Sequence, residues 1–297
     1  MVTLLLAAVL ASAGTTQLPG TFVWTGKSAA DNGLEWTLPK VDSFDRAVVS
    51  WNAKGPVTVV LQVAGQEHVM GVWGDKPSSR TTAFVDEDTL KLPQPATALR
   101  VKVLPAPGSE VTLLAVTYWK RGAVQPMGPV SADARGRTVA GVPHLVQRDQ
   151  KTCSPTSLTM VLKHYGVAAS LQAAIDGVKD HAPDASEVYG NWPFNTAYAY
   201  KASGGKLQAY VRRMAGLAEL EEETAGGNPA IISFKPNGPD GQGHLVVVLG
   251  FTPSGDVVVN DPGRRDGEER VVPRKQFYQA WLRDGQGVAY VFRLGNG

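Results

Sequence analysis

The sequence predicts two domains, an N-terminal antiparallel β-sandwich at residues 20–120 and a C-terminal α+β domain at residues 142–297. Three observations lead to this prediction. Short apolar runs separated by turn residues fill the first half, as in a sandwich or barrel. Residues 121–141 are rich in Gly, Pro and small residues and have no apolar period, which is typical of a linker. The second half combines an amphipathic helix with later β-type runs.

Five runs in the first half have the composition of β-strands. Between Leu99 and Val103, apolar and basic residues alternate strictly, which is the period of a strand with one face in water. Glycine, proline, asparagine and aspartate separate the runs, so we expect antiparallel pairing through short turns. The runs are RAVVSWNA, PVTVVLQV, HVMGVWG, ALRVKVL and EVTLLAVTYW.

Five of the seven tryptophans lie in this half: Trp24, Trp36, Trp51, Trp73 and Trp119. Exposed aromatic rings on a sandwich can stack on sugars, whereas buried rings form the core of a small β domain. We favour core packing for these five. For Trp192, in the second half, we also favour core packing over a position in a substrate cleft.

The second half begins with a helical pattern. Leu158, Val161, Leu162 and Tyr165 lie at i, i+3, i+4 and i+7, on one face of a helix that ends at Gly166. Further helices are predicted at 193–202 and 217–224, and strands at 207–211, 229–234, 244–251, 256–261 and 287–294. Helices followed by a sheet predict an α+β domain.

The first residues, MVTLLLAAVLASAG, form an apolar run that ends in the small-residue pattern at which signal peptidase cuts. We therefore interpret residues 1–13 as a signal peptide and expect a secreted or periplasmic protein. The run is too short to span a bilayer and no other segment is long enough, so no transmembrane segment is predicted. With 29 basic and 27 acidic residues, the net charge of +2 gives no reason to expect a nucleic-acid partner.

Cys153 is the only cysteine of the chain. In an exported protein, a single cysteine makes no internal disulfide, so it is buried and inert, paired between chains, or used as a thiol. Its position in the first turn of the predicted helix places the sulfur near unpaired backbone N–H groups and the positive end of the helix dipole. Both favour the reactive thiolate.

A thiolate nucleophile needs a histidine to exchange protons and a third group to orient the ring. Of the five histidines, His244 is the best candidate because it opens a strand after the flexible segment NGPDGQG. With a four-residue turn before the next strand, Asp261 becomes its same-face neighbour at roughly 7–8 Å between Cα atoms. A five-residue turn would favour Asn260 instead.

The stretch VPHLVQRDQKTCSPTSLTMVLKHYG, with GHLVVVLGF and GDVVVNDP, resembles the papain-like cysteine peptidases of the double-glycine, bacteriocin-leader-processing family. The resemblance is closest to its secreted bacterial members without a transporter and covers Val142 to Leu294. It implies Cys153 as nucleophile, His244 as general base and acid, and Asp261 as orienting group. Gln147, six residues before the cysteine, would supply the oxyanion hole. Ser154 stands where many members have glycine.

The resemblance implies a papain-like cysteine peptidase that hydrolyses peptide or related amide bonds, with protein, peptide or cell-wall peptide as substrate. One alternative is acyl transfer with the same triad. Another is an inactive papain-like scaffold beside a carbohydrate-binding or cell-wall-binding sandwich. The chain has no Cys-x-x-Cys or His-Glu-x-x-His motif, so we expect no metal and no cofactor. We expect a monomer.

Overall fold

The computed structural model describes residues 14–29, 33–38, 41–183, 185, 187–238, 242–283 and 286–295. The predicted signal peptide at residues 1–13 lies outside these ranges. The described chain is mostly β, with three antiparallel sheets and a few helices. None of the helices within these ranges combines the length and the hydropathy needed to cross a bilayer.

The first two sheets occupy the N-terminal half, and all five predicted strands of this half are present. The strands are β1 (Gly14–Leu18), β2 (Thr21–Ala29), β3 (Leu34–Leu38), β4 (Phe44–Lys54), β5 (Val57–Val63), β6 (Gln66–Trp73), β7 (Val85–Asp86), β8 (Thr89–Ala96), β9 (Leu99–Pro105) and β10 (Glu110–Trp119). One sheet has the order β1-β2-β10-β4-β8-β7 and the other β3-β9-β5-β6. Apolar side chains from both sheets form one core between them.

The tryptophans of this half belong to the buried interior. All five are at most 5% exposed. Trp24 of one sheet meets Trp36 of the other with ring centroids 5.1 Å apart. Core packing is therefore confirmed for these side chains, and none of them presents an open ring face on which a sugar could stack.

The third sheet and the helices form the C-terminal half. Its elements are α1 (Cys153–His164), α2 (Leu171–Val178), α3 (Trp192–Ala202), β11 (Leu207–Arg213), α4 (Leu217–Ala225), β12 (Ala230–Phe234), β13 (His244–Phe251), β14 (Val257–Asn260), β15 (Arg270–Val272), α5 (Arg274–Phe277), a π-helical segment (Tyr278–Arg283) and β16 (Val288–Leu294). The strand order is β11-β16-β12-β13-β14-β15. Helix α1 lies on this sheet, where Ser157 Oγ donates to the Leu245 carbonyl at 2.9 Å.

The two halves meet along β11, the edge strand of the third sheet. Asn52 of β4 makes a two-point contact with its backbone, since Nδ2 donates to the Ala209 carbonyl at 2.7 Å and Oδ1 accepts from the Ala209 N–H at 3.0 Å. Two hydroxyls bond the backbone of Val211 in a similar way. Ser50 Oγ accepts from the Val211 N–H at 2.9 Å, and Thr117 Oγ1 donates to the Val211 carbonyl at 2.8 Å. Side chains of the first sheet thus supply hydrogen-bond partners for backbone groups of β11 that would otherwise need another strand.

Replacement of Asn52 by alanine is expected to lower the free energy of unfolding by about 2–4 kcal/mol, because it leaves the buried N–H and carbonyl of Ala209 without partners. Chemical denaturation measures this change. Glu67→Gln, an exposed substitution on β6, is the control and should change stability by less than about 0.5 kcal/mol. An Asn52→Ala protein as stable as this control would contradict the capping of the edge.

The segment at residues 121–141 contains no helix and no strand, as its composition indicates, but its end lies against the third sheet. The Val139 N–H donates to the Leu249 carbonyl at 2.8 Å, and the Phe251 N–H donates to the Arg137 carbonyl at 3.0 Å. Gly250 lies between these bonds with φ +154°, and a Cβ there would be 2.0 Å from the Arg137 oxygen. The chain therefore enters the C-terminal half in direct contact with β13.

Candidate active site

Cys153 is the first residue of α1 and is 6% exposed. No side chain caps the first turn of this helix in the described structure, so its leading N–H groups are available to another acceptor. The buried hydroxyl of the following residue, Ser154, is 3.0 Å from the Tyr290 hydroxyl on β16. Helix α1 therefore places the only thiol of the chain beside backbone N–H groups that no side chain caps.

His244 contacts both a carboxylate and the thiol. Its Nε2 lies 2.7 Å from Asp261 Oδ1. Its ring also faces the Cys153 side chain, whose hydrogen bonding and charge raise the pKa of the imidazole. Because Nε2 is engaged by the carboxylate, Nδ1 is the ring atom left for the sulfur. The structure thus brings together three side chains that span more than a hundred positions of the sequence, from Cys153 to Asp261.

A bulge in β13 sets which side chain of the next strand faces His244. The two strands are joined by a five-residue turn, Thr252–Asp256, because Phe251 pairs with Val257. Leu249 is then an extra residue in β13, and the register shifts by one at this point. Beyond the bulge, the pairing is the one that a four-residue turn would give.

This register distinguishes the two orienting groups that the sequence left open. Asp261 lies on the face of His244 and hydrogen-bonds the ring. The Asn260 side chain lies on the other face, where its Nδ2 donates to the Val142 carbonyl at 3.1 Å. A five-residue turn without the bulge would have exchanged the two side chains.

Asp261 is held by further groups besides His244, and the Arg264 N–H donates to its carbonyl at 3.0 Å. The Gly263 N–H donates to Oδ1 at 2.9 Å, and Arg270 Nη1 donates to Oδ2 at 3.1 Å. The Asp261 carbonyl accepts from His144 Nε2 at 2.9 Å, so this ring nitrogen carries a proton. Sequence reasoning did not identify Arg270 or His144 in these positions. The only signals were an arginine at the start of the run RVVP and a histidine in the approach to the helix.

These contacts determine the charges of His244 and Asp261. Burial alone would lower the pKa of His244, but its hydrogen bonds to Asp261 and Cys153, with the charges of both, outweigh burial and raise this pKa to about 9. Burial would likewise raise the pKa of Asp261, but His244, the Gly263 N–H and Arg270 lower it to about 2. At neutral pH, the site therefore holds an imidazolium between a carboxylate and a sulfur.

Gln147 lies beside the turn that follows Asp261. Its backbone N–H donates to the Pro262 carbonyl at 2.8 Å, which connects the approach to α1 with this turn. Its side-chain Oε1 is buried and has no hydrogen-bond partner among the described residues. Gln150, by contrast, is exposed. The residue at the predicted spacing is thus attached through its backbone to the turn that follows Asp261, and its side-chain oxygen has no partner among the described residues.

The acidic segment after Asn260 is a surface loop with its own pairing. Arg264 forms an ion pair with Asp266, whose Oδ1 also accepts from the Glu268 N–H at 3.2 Å. Across the described ranges, no group of three His, Cys, Asp or Glu side chains is arranged to hold a metal ion.

A buried thiol at a helix N-terminus, facing an imidazole that a carboxylate orients, is the arrangement of a cysteine peptidase. The family model described as Peptidase_C39 like family matches residues 139–289. This match covers slightly more than half of the 297 residues and includes all four predicted site residues. The chain belongs to the peptidase C39-like family and is a cysteine peptidase.

Solved structures with some similarity include two double-glycine peptidases. For the double glycine motif protease from an AMS/PCAT transporter, in complex with its leader peptide, the identity is 26%, the match covers 54% of this chain and 96% of that one, and the TM-score is 0.38. For the peptidase domain of Streptococcus ComA, a bi-functional ABC transporter involved in quorum sensing, the identity is 17% and the TM-score is 0.40. The match covers 52% of this chain and 100% of that one. For the catalytic unit of a GH87 α-1,3-glucanase from Streptomyces thermodiastaticus, the identity is 17% and the TM-score is 0.23. The match covers 47% of this chain and 27% of that one. No curated protein matches the chain.

Proposed function

We propose that the protein hydrolyses peptide or related amide bonds with Cys153 as nucleophile, His244 as general acid and base, and Asp261 as the group that orients the ring. The observation that carries this proposal is the position of the His244 imidazole, which is hydrogen-bonded to Asp261 at 2.7 Å and has its pKa raised by the adjacent Cys153 side chain. A structural cysteine needs neither contact. The raised pKa of His244, about 9, supports an imidazolium that faces a thiolate at neutral pH.

In the first step, the Cys153 thiolate attacks the carbonyl carbon of the scissile amide, and a C–S bond forms as the carbonyl oxygen becomes an oxyanion. The His244 imidazolium then gives its Nδ1 proton to the leaving nitrogen, and the C–N bond breaks to leave a thioester. Neutral His244 next takes a proton from water as the water oxygen attacks the thioester. Collapse of this second intermediate releases the acid and restores the thiolate and imidazolium.

The oxyanion would be held by the Cys153 backbone N–H and the side-chain amide of Gln147. The absence of a side-chain cap on the described first turn of α1 supports the first donor. The position of Gln147 beside the Asp261 turn supports the second. Donors fixed in advance around a developing negative charge supply much of the rate enhancement of acyl-transfer enzymes.

We propose further that the protein acts outside the cytoplasm, after removal of residues 1–13, on protein, peptide or cell-wall peptide. Acyl transfer would pass through the same thioester and differ only in the acceptor. Product analysis with added amines separates the two reactions, since transfer gives amide adducts and hydrolysis gives free acids.

Cleavage-site profiling tests the proposed function. Mature protein is incubated with a peptide library, and Cys153→Ala protein serves as the blank. We expect cuts that appear with the parent and are absent from the blank. A parent that cuts nothing, or a blank that produces the same cuts, would contradict the proposal.

The pH dependence of hydrolysis follows from the raised pKa of His244. Below about 9 the ring keeps the proton that it must give to the leaving nitrogen, so kcat/KM should fall about tenfold per pH unit above this value. Asp261→Asn removes the charge that raises this pKa, so the alkaline limb of its pH profile should move to lower pH. An alkaline limb near 6.5 in the parent enzyme, the ordinary value for histidine, would contradict the pairing.

A further inference from the structure

A cavity of about 330 Å³ lies between the two halves of the protein. The N-terminal half supplies the turn between β7 and β8 and the end of β10. The C-terminal half supplies the start of α3 and the end of β12. Lining residues include Glu87, Asp88, Trp119, Trp192, Ser233 and Lys235. No step of the proposed mechanism uses this cavity, which we call the shared cavity.

Two contacts connect the surroundings of the shared cavity with the candidate active site. Ser233, in its wall, pairs with Leu245 in the sheet, one residue from His244. A second connection runs through Tyr290, whose hydroxyl is 3.0 Å from the Ser154 hydroxyl. Burial raises the pKa of Tyr290 well above its usual value, and the charges of Asp88 and Cys153 act in the same direction.

The β7–β8 hairpin is anchored to the C-terminal half at its tip. Asp88 is 6% exposed, and its Oδ2 accepts from the Trp192 N–H, at the first residue of α3, at 2.7 Å. Its Oδ1 accepts from the Thr89 hydroxyl at 2.9 Å. A carboxylate at a helix N-terminus is favoured by the helix dipole, so Asp88 fixes the hairpin against α3. Its neighbour Glu87 has φ +55° and is exposed at the turn, lining the cavity.

Besides Glu87 and Asp88, the cavity wall has four charged side chains; two ion pairs include three of them, and the fourth is Lys235. Asp86 pairs with Lys91, and Arg46 pairs with Asp45, which lies outside the wall. Glu87 has no ion pair within 4 Å among the described residues. Burial raises the pKa of Asp88 to about 7, against the effect of its hydrogen bonds, and the negative charges of Glu87 and Asp86 raise it further. An added cation would stabilise these carboxylates.

Two tryptophans border the cavity beside this acidic turn, Trp192 with a partly exposed ring and Trp119 with a buried one. Trp119 is held by a hydrogen bond from its Nε1 to Gln286 Oε1 at 2.7 Å. Trp192 is partly buried and packs on the apolar cluster that includes Cys153. Aromatic faces accept both the methylene stem and the cationic head of a lysine or arginine side chain. The wall therefore combines an apolar surface with a carboxylate at its rim.

We propose that the shared cavity is a substrate subsite, in which Glu87 of the N-terminal half selects peptides that carry a cationic group near the scissile bond. This inference rests on the proposed function of the Cys153 site. It assigns the N-terminal half a part in substrate recognition, through the hairpin that Asp88 anchors. Trp192 belongs to the wall of this subsite as well as to the core, so core packing describes only part of its position.

The test uses a peptide that the library shows to be cut, acetylated and amidated at its ends. Lysine, norleucine or glutamate is placed at each position that flanks the cut, and a norleucine peptide with a free α-amine forms a fourth series. Each series is measured as kcat/KM with the parent enzyme, Glu87→Gln and Glu87→Lys. Glu67→Gln is the matched control, because Glu67 lies on β6, pairs with Lys102 and does not line the cavity. Binding of the same peptides to Cys153→Ala protein, by fluorescence anisotropy, gives a readout without cleavage.

We expect the parent and Glu67→Gln to favour lysine over norleucine about five- to tenfold at one position. Glu87→Gln should reduce this preference to less than about twofold, and Glu87→Lys should reverse it toward glutamate. If the free-amine series alone shows the preference, the cation recognised is an N-terminus and not a lysine side chain. Equal preferences in the parent and Glu87→Gln, in cleavage and in binding, would overturn the inference and leave the proposed function intact. Failure of the proposed function would instead appear as a lack of Cys153-dependent cleavage, while Glu87-dependent binding to Cys153→Ala protein could still be measured.

Discussion

Replacement of His244 by alanine is expected to lower kcat/KM for peptide hydrolysis by a factor of about 10³–10⁴. In the proposed mechanism, the substitution removes the proton donor for the leaving nitrogen and the cation that stabilises the Cys153 thiolate. It also leaves the Asp261 carboxylate without the partner at 2.7 Å that helps to lower its pKa to about 2. The loss should fall mainly on kcat, because the ring acts on the reacting atoms and not on distant parts of the substrate.

His164→Ala is the control for this substitution. His164 is the last residue of α1, the helix that begins with Cys153, so the same residue type is removed at the far end of the same element. Its activity should stay within about twofold of the parent. A His244→Ala enzyme that kept a tenth or more of the parent activity would contradict the assigned role.

Replacement of Gln147 by alanine is the second large effect, with an expected loss of about 10²–10³ in kcat. The amide would stabilise an oxyanion that exists only after attack, so KM should change little. Gln150→Ala is a close control, since Gln150 is exposed on the same approach to α1. Equal small losses in the two variants, or a Gln147→Ala loss confined to KM, would contradict an oxyanion role.

Most long strands could be predicted from the sequence, because their apolar content or alternation exceeds that of any turn. The predicted and observed bounds of β13 are identical, His244–Phe251. Short elements such as β7, with two residues, and β15, with three, carry too few side chains for a period to appear. Their pairing depends on neighbours far along the chain, which a local pattern does not encode.

The orienting carboxylate illustrates how much of the site a sequence can define. The alternation of β13 and β14 restricted the choice to Asp261 or Asn260, depending on turn length. The turn between the strands has five residues, and this length alone would have favoured Asn260. The bulge at Leu249 shifts the register by one residue, so Asp261 lies on the face of His244. Bulges leave little local signal, and this one accompanies the close approach of the Arg137 carbonyl to Gly250.

The contact between the two halves was not predictable from the apolar pattern. Ser50, Asn52 and Thr117 lie within β-type runs, where polar residues are normally interpreted as facing water. They are instead buried and bonded to β11. The division into two domains at residues 20–120 and 142–297 remains a prediction, since buried residues from both sides share common clusters.

The rate of alkylation of Cys153 by iodoacetamide, compared between the parent and His244→Ala, tests the central claim most directly. Cys153 is the only cysteine, so all labelling at sulfur reports on this site. At neutral pH we expect the parent to react at least ten times faster than His244→Ala, with His164→Ala like the parent, because only the parent and this control keep the imidazolium that holds the thiolate. Equal, slow labelling of all three proteins would contradict an activated cysteine–histidine pair.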